Sequence, residues 1–205
     1  MLYVRSGWLA HEMHTYREES SGVISVALYT TSECAAIVAE LKQLQDWKPA
    51  RVRHAQDLGH YDILTQPEVR SASTLVSKGS EKFYRDFDMR MNETVKPLIL
   101  ERWEIALKDH SGTHILKYGP GDHYVPHQDT GPGLEHRYLS IVCYLNDDFS
   151  GGQTSFPGRD YTVVPEAGKA IVFPSSYLHG SKPVRDGEKF VLVSWAKGPT
   201  AVKWI

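Results

Sequence analysis

The stretch Thr113-His114-Ile115-Leu116-Lys117-Tyr118-Gly119-Pro120-Gly121-Asp122-His123-Tyr124-Val125-Pro126-His127-Gln128-Asp129 decides the class of the fold. It opens on a β-rich run, breaks at a Gly-Pro-Gly-Asp turn, and ends in a histidine and a carboxylate two positions apart. The same grammar repeats downstream. Short β-rich runs at Arg137 to Leu145, Tyr161 to Val164, Lys169 to Phe173 and Lys189 to Trp195 are divided by turns at Gly131-Pro132-Gly133, Gly151-Gly152, Pro157-Gly158 and Asp186-Gly187. Many short strands with regular turn signals predict a sandwich or barrel over residues 113–197.

Upstream the pattern is helical. Val23 to Tyr29 is β-prone, and Thr30 with Glu33 three residues later forms a capping-box pattern. Ile37, Leu41 and Leu44 repeat at helical spacing behind it, which predicts a helix over 31–46 that Pro49 stops. Residues 51–79 are polar and read as loops with one or two short strands. A second helix starts near Ser80 with Phe83, Phe87 and Met91 on one face, and Pro97 kinks or ends it, with Leu98 to Leu107 as a further helical piece. Residues 1–22 read as an N-terminal extension, in which His11 and His14 fit a solvated helical turn better than a metal pair. The expected fold class is α+β, with supporting helices over 23–112, a β core over 113–197, and 23–205 as one domain.

Bulk properties exclude several classes. With 205 residues, 41% hydrophobic and 23% charged, the chain suits one globular domain. Its 23 Lys+Arg against 25 Asp+Glu give a net charge of −2, without the basic excess of a nucleic-acid binder. No apolar run approaches the roughly 18 residues of a membrane span, and no secretory leader is visible at Met1 to Trp8. Cys34 and Cys143 are too few for a disulfide framework, so the expectation is a cytoplasmic protein.

Histidine carries the chemistry. At the end of a strand, His127 and Asp129 point to the same face. His179 lies 52 residues on, in Phe173-Pro174-Ser175-Ser176-Tyr177-Leu178-His179-Gly180, a distance over which a sandwich folds a later strand beside an earlier one. Two histidines and a carboxylate on one side of a metal leave its other side open, the arrangement of non-haem Fe(II) oxygenases. Ten residues after His179, alternation puts Lys189, Val191, Val193 and Trp195 on one strand face. A lysine on an apolar face calls for an anion, and a dicarboxylate co-substrate would supply one.

These motifs, with Tyr144-Leu145-Asn146-Asp147, Gly151-Gly152-Gln153-Thr154-Ser155-Phe156 and Pro165-Glu166-Ala167-Gly168-Lys169-Ala170 in order, resemble the 2-oxoglutarate/Fe(II)-dependent dioxygenase superfamily, in its prolyl 4-hydroxylase-like branch. The strong part covers residues 113–197; a weaker echo includes the Arg70-Ser71 pair. The resemblance implies a double-stranded β-helix (jelly-roll) core. It implies Fe(II) held by His127, Asp129 and His179, and 2-oxoglutarate held by Lys189 with help from Tyr118. Tyr144 would also reach the co-substrate, Trp195 would line the pocket, and ascorbate is a candidate reductant. The implied reaction uses O2 to hydroxylate an unactivated C–H bond, releasing succinate and CO2. Halogenating relatives replace the carboxylate ligand with a small residue, so Asp129 implies hydroxylation here.

Residues 51–79 and the loop from Thr130 to Arg137 are expected to flank the metal, with Tyr124 and Arg70 as candidate substrate contacts. The resemblance favours a prolyl-type residue or related amino acid; a free amino acid or a natural-product intermediate is the alternative. The expected partner is thus a peptide or small-molecule substrate, with neither nucleic acid nor membrane. Two other classes stand beside these: a jelly-roll binding module without catalysis, and a zinc hydrolase, in which Lys189 would have no task.

Overall fold

Alternation along two strands, Arg137–Tyr144 and Lys189–Lys197, sorts side chains into the two layers of the molecule. In a computed structural model that describes residues 15–55, 61–76 and 80–198, they pair antiparallel at the centre of an eight-stranded sheet. The sheet runs Arg17–Ser20, Val23–Ala27, Lys169–Pro174, Arg137–Tyr144, Lys189–Lys197, Asp109–Tyr118, Ser73–Leu75, Trp47–Pro49. The register sets Cys143 opposite Leu192 and Tyr144 opposite Val191. Ile141, Cys143, Phe190 and Leu192 therefore face one way and join a core with helix residues Leu41, Phe87 and Leu98. Val142, Tyr144, Leu116 and Val191 face the other way and meet Phe156 and Val184 from outside this sheet. Burying both faces of the central strands is the main source of stabilisation, at about 1.5–3 kcal/mol for each large apolar side chain.

On that second face lies a five-stranded sheet in the order Tyr161–Thr162, Thr154–Phe156, His179–Ser181, His123–His127, Arg70–Ser71. A two-stranded ribbon, Ser150–Gly151 with Val184–Asp186, closes one end. Another pairs Val52–Ala55 with Tyr61–Leu64.

Helix α1 (Thr31–Leu41) starts at the expected box: the Glu33 N–H donates to Thr30 Oγ1 at 3.2 Å and the Thr30 N–H to Glu33 Oε2 at 2.7 Å. Such a cap contributes about 1 kcal/mol. The helix ends at Leu41 rather than 46, because the Gln43 and Leu44 N–H groups bond three residues back and the Trp47 indole N–H takes the Leu44 carbonyl. Pro49 then sits in the outermost strand of the large sheet, where its missing N–H breaks no ladder. Helix α2 (Glu81–Arg90) buries Phe83 and Phe87 as expected. Pro97 does not end the helical run. A wider turn at Met91–Val95 absorbs the bond proline has no N–H to make, and helix α3 (Lys96–Trp103) continues with Pro97 in its first turn.

Two stretches differ from the sequence reading. The described residues of 51–79 hold four strands instead of one or two, each two to four residues long and so too short to show a period. Within the expected extension, Arg17–Ser20 forms the outer strand of the large sheet. His11 and His14 lie outside the described residues.

Candidate active site

The two histidines face each other across neighbouring strands of the smaller sheet, His127 opposite His179. Asp129, just past the end of its strand, is tied by its N–H to the Ser175 carbonyl at 2.9 Å. One ligand atom from each of the three residues lies within 4.8 Å of the others. His127 Nε2 is 3.4 Å from Asp129 Oδ1, and His179 Nε2 is 3.3 Å from Asp129 Oδ2.

The far side of each imidazole fixes its tautomer. His127 Nδ1 is 2.9 Å from the Val125 carbonyl and His179 Nδ1 is 2.9 Å from the Tyr177 carbonyl. A carbonyl only accepts, so in the neutral ring Nδ1 carries the proton and Nε2 presents a lone pair. Two imidazole lone pairs and a carboxylate then converge, a donor set that a cation completes and that suits Fe(II). Burial pushes His127 below its ordinary pKa, towards the neutral ligand form. Burial alone would raise Asp129, but the facing imidazoles outweigh it and hold the carboxyl well below its usual range.

Packing holds these side chains still. Tyr124 stacks on His127 with centroids 3.5 Å apart, and Phe173 meets His179 edge-on at 4.6 Å. Buried Ser140 donates to Asp129 Oδ2 at 2.7 Å and lies 3.0 Å from Ser175 Oγ. The sequence reading missed Ser140, although a serine two residues before Val142 and four before Tyr144, on their inward face, was a visible signal.

Across the cavity, Lys189 projects from the large sheet and is 2% exposed. Its ammonium donates to the Gly152 carbonyl at 2.6 Å and to Ser181 Oγ at 2.9 Å, and lies 4.7 Å from the Tyr118 ring centroid. Among the described residues it has no carboxylate partner, and burial pushes its pKa down to about 7. Its charged form calls for an anion. Val191, Val193 and Trp195 follow it along the cavity wall, as the alternation predicted.

The cavity measures about 670 Å³, and its wall includes His127, Asp129 and His179 together with Lys189, Tyr118 and Trp195. Tyr124 and Arg70 also line it, stacked so that the guanidinium lies 4.8 Å from the ring centroid. Tyr144 stands behind the wall. It is fully buried, with its hydroxyl 2.6 Å from Thr154 Oγ1 and its ring 5.5 Å from the Lys189 ammonium. That places it next to Lys189, with its hydroxyl already engaged. Arg137, which the sequence reading did not single out, lines the cavity with its guanidinium 3.7 Å from the Trp195 centroid.

Comparison with known proteins matches this region. Residues 113–197 fit the family model of the 2OG-Fe(II) oxygenase superfamily. A protein of Acanthamoeba polyphaga mimivirus that carries a prolyl 4-hydroxylase name is 28% identical over 149 residues, covering 58% of this chain and 61% of its own length. Prolyl 4-hydroxylase 13 of Arabidopsis thaliana is 28% identical over 178 residues, covering 67% of this chain and 65% of its own. The chain thus spans less than two thirds of either relative. A crystal structure of a Pseudomonas putida prolyl-4-hydroxylase superposes with a TM-score of 0.62 at 20% identity, over 86% of this chain and 92% of that one, which establishes likeness of fold.

Proposed function

We propose, since residues 113–197 match the family model of the 2OG-Fe(II) oxygenase superfamily, that this chain is a prolyl 4-hydroxylase-like hydroxylase that uses Fe(II), 2-oxoglutarate and O2. Its two-sheet sandwich is read as the jelly roll of that superfamily, with α1 to α3 as supports on the outer face. The observation that carries the proposal is the pairing, within one cavity, of three converging metal-type donors with a buried lysine that has no carboxylate partner among the described residues.

In this reading His127, Asp129 and His179 hold the metal, and Ser140 fixes the carboxylate's rotation through Oδ2. Lys189 and Ser181 receive the far carboxylate of 2-oxoglutarate, while the Tyr118 ring lies against the ammonium. Val191 and Val193 keep the space between dry, which strengthens each charge pair inside it. When bound, the iron and its co-substrate supply oxidative chemistry: O2 is consumed, 2-oxoglutarate leaves as succinate and CO2, and a C–H bond of the substrate becomes C–OH. Tyr124 and Arg70 stand where the substrate would lie, a prolyl-type residue or a related amino acid.

Succinate formation from 2-oxoglutarate with Fe(II) and O2 tests this, comparing proline-containing peptides with free amino acids and small acids. Stimulation by either pool, with a one-oxygen mass gain on the stimulating compound, is the expected result. No turnover with either pool, together with no visible absorption band when Fe(II) and 2-oxoglutarate are added without oxygen, would return the chain to the class of non-catalytic binding modules.

A further inference from the structure

The cavity holds more positive charge than the proposed chemistry uses. Its described wall contains Arg51, Arg53, Arg70, Arg137 and Lys189, and Asp129 is its one acidic residue. A divalent metal and Lys189 are balanced by Asp129 and a dicarboxylate, and the cavity's arginines stand outside that balance. Two of them point to where the balance lies.

Arg70 lies over the Tyr124 ring, and that ring is stacked on the metal-ligand candidate His127. Its Nη1 donates to the Arg51 carbonyl at 3.3 Å. Arg137 lies over Trp195, and its Nη1 donates to the Asp129 carbonyl at 3.4 Å. Both Nε–H groups are buried without a hydrogen-bond partner, and neither guanidinium forms an ion pair among the described residues. A buried donor left open is costly, and the Nε–Nη edge of arginine matches the two oxygens of a carboxylate. Arg70 is one ring removed from His127 and Arg137 bonds the Asp129 main chain directly, so an anion held by both would lie beside the proposed metal.

We infer that the substrate is a small carboxylic acid whose carboxylate, beside the carbon to be oxidised, is held by Arg70 and Arg137. This rests on the hydroxylase reading and narrows it, since a proline inside a peptide has no such group. A cavity of about 670 Å³ suits 2-oxoglutarate and a second compound of amino-acid size.

Matched acid and amide pairs test the inference: L-proline, N-acetyl-L-proline and the other free amino acids, each beside its amide, and one acidic proline-containing peptide. Binding to the Fe(II)- and 2-oxoglutarate-loaded protein without oxygen is followed by tryptophan fluorescence, which Trp195 reports from its place against Arg137. At least one acid is expected to bind about tenfold to a hundredfold more tightly than its amide, the range of a charge-assisted contact. Arg70→Gln and Arg137→Gln should each reduce that ratio towards one. The Fe(II)–2-oxoglutarate band, recorded on the same samples, shows that each variant is folded and loaded. Equal binding of acid and amide across the panel, or a preference that survives both substitutions, overturns the inference. A preference confined to the acidic peptide overturns the small-acid assignment. Absence of the band in the unaltered protein refutes the hydroxylase reading itself, so the two failures are distinguishable.

Discussion

Binding of 2-oxoglutarate should draw a proton from solution, and Lys189 sets how much. In the ligand-free protein burial lowers this lysine from 10.5 to about 7. At about 1.4 kcal/mol per pKa unit, keeping it charged there costs about 5 kcal/mol, which a bound carboxylate offsets. At pH 8 the free site is about 90% neutral, so binding should take up about 0.9 proton; at pH 6, with the lysine already charged, about 0.1. Calorimetry of 2-oxoglutarate binding to Fe(II)-loaded protein without oxygen, in buffers of different ionisation enthalpy, reads the number directly. The stability of the ligand-free fold follows the same linkage. Between pH 7 and 10.5 the unfolded chain holds the extra proton, so stability rises with pH across that window. Lys189→Met should abolish both the uptake and the slope. Uptake at pH 8 below about 0.3 proton, or equal uptake in Lys189→Met, would refute the assignment of Lys189 as the anion's partner.

Removing the Ser140 hydroxyl in Ser140→Ala frees the Asp129 carboxylate and should weaken Fe(II) binding roughly 10-fold to 100-fold, measured by metal titration, with little change in unfolding temperature. Burial lowers His127 below its ordinary 6.5, so its imidazole resists protonation and Fe(II) affinity should fall less steeply with acidity than an exposed histidine ligand would give, measured by metal titration across pH. The share of metal-free stability that His127 carries, read as the difference from His127→Gln so that the Lys189 slope cancels, should be lost as pH falls through about 6.5, where the unfolded chain binds the proton first; a difference that grows with falling pH would contradict this. Gly168 has φ +87°, and a Cβ there would lie 2.0 Å from the Tyr29 carbonyl oxygen. Gly168→Ala should therefore cost at least about 2 kcal/mol in denaturant unfolding, and a neutral result would mean that the turn is held differently.

The convergence of His127 and Asp129 was legible because period two is rigid: a histidine and a carboxylate at i and i+2 share a face along a strand, and Asp129 keeps that side just past the strand's end. Lys189, Val191 and Val193 were legible for the same reason. Arg137 was not. It starts a strand whose register shifts between Arg137 and Leu139, and no local pattern tells which way a side chain turns at such an irregularity. Residues 51–79 stayed opaque because their strands gain meaning from distant partners: Arg70 opposite Tyr124, Ser73 opposite Lys117. The helical piece expected beyond Pro97 is present, since a proline is tolerated in the first turn of a helix; the wider turn before it was not legible, because it leaves no trace in hydropathy.

The two ends of the proposed co-substrate site belong to different sheets, the histidine pair to the smaller and Lys189 to the larger. Such a site works as a caliper with one jaw on each layer. Phe156, Phe173 and Tyr144 pack between the sheets, behind the groups that would grip the molecule. Discrimination between oxo-diacids of four, five and six carbons is then a property of core thickness. Trimming Phe156 or Phe173 would alter which length is accepted while every contact residue stays the same.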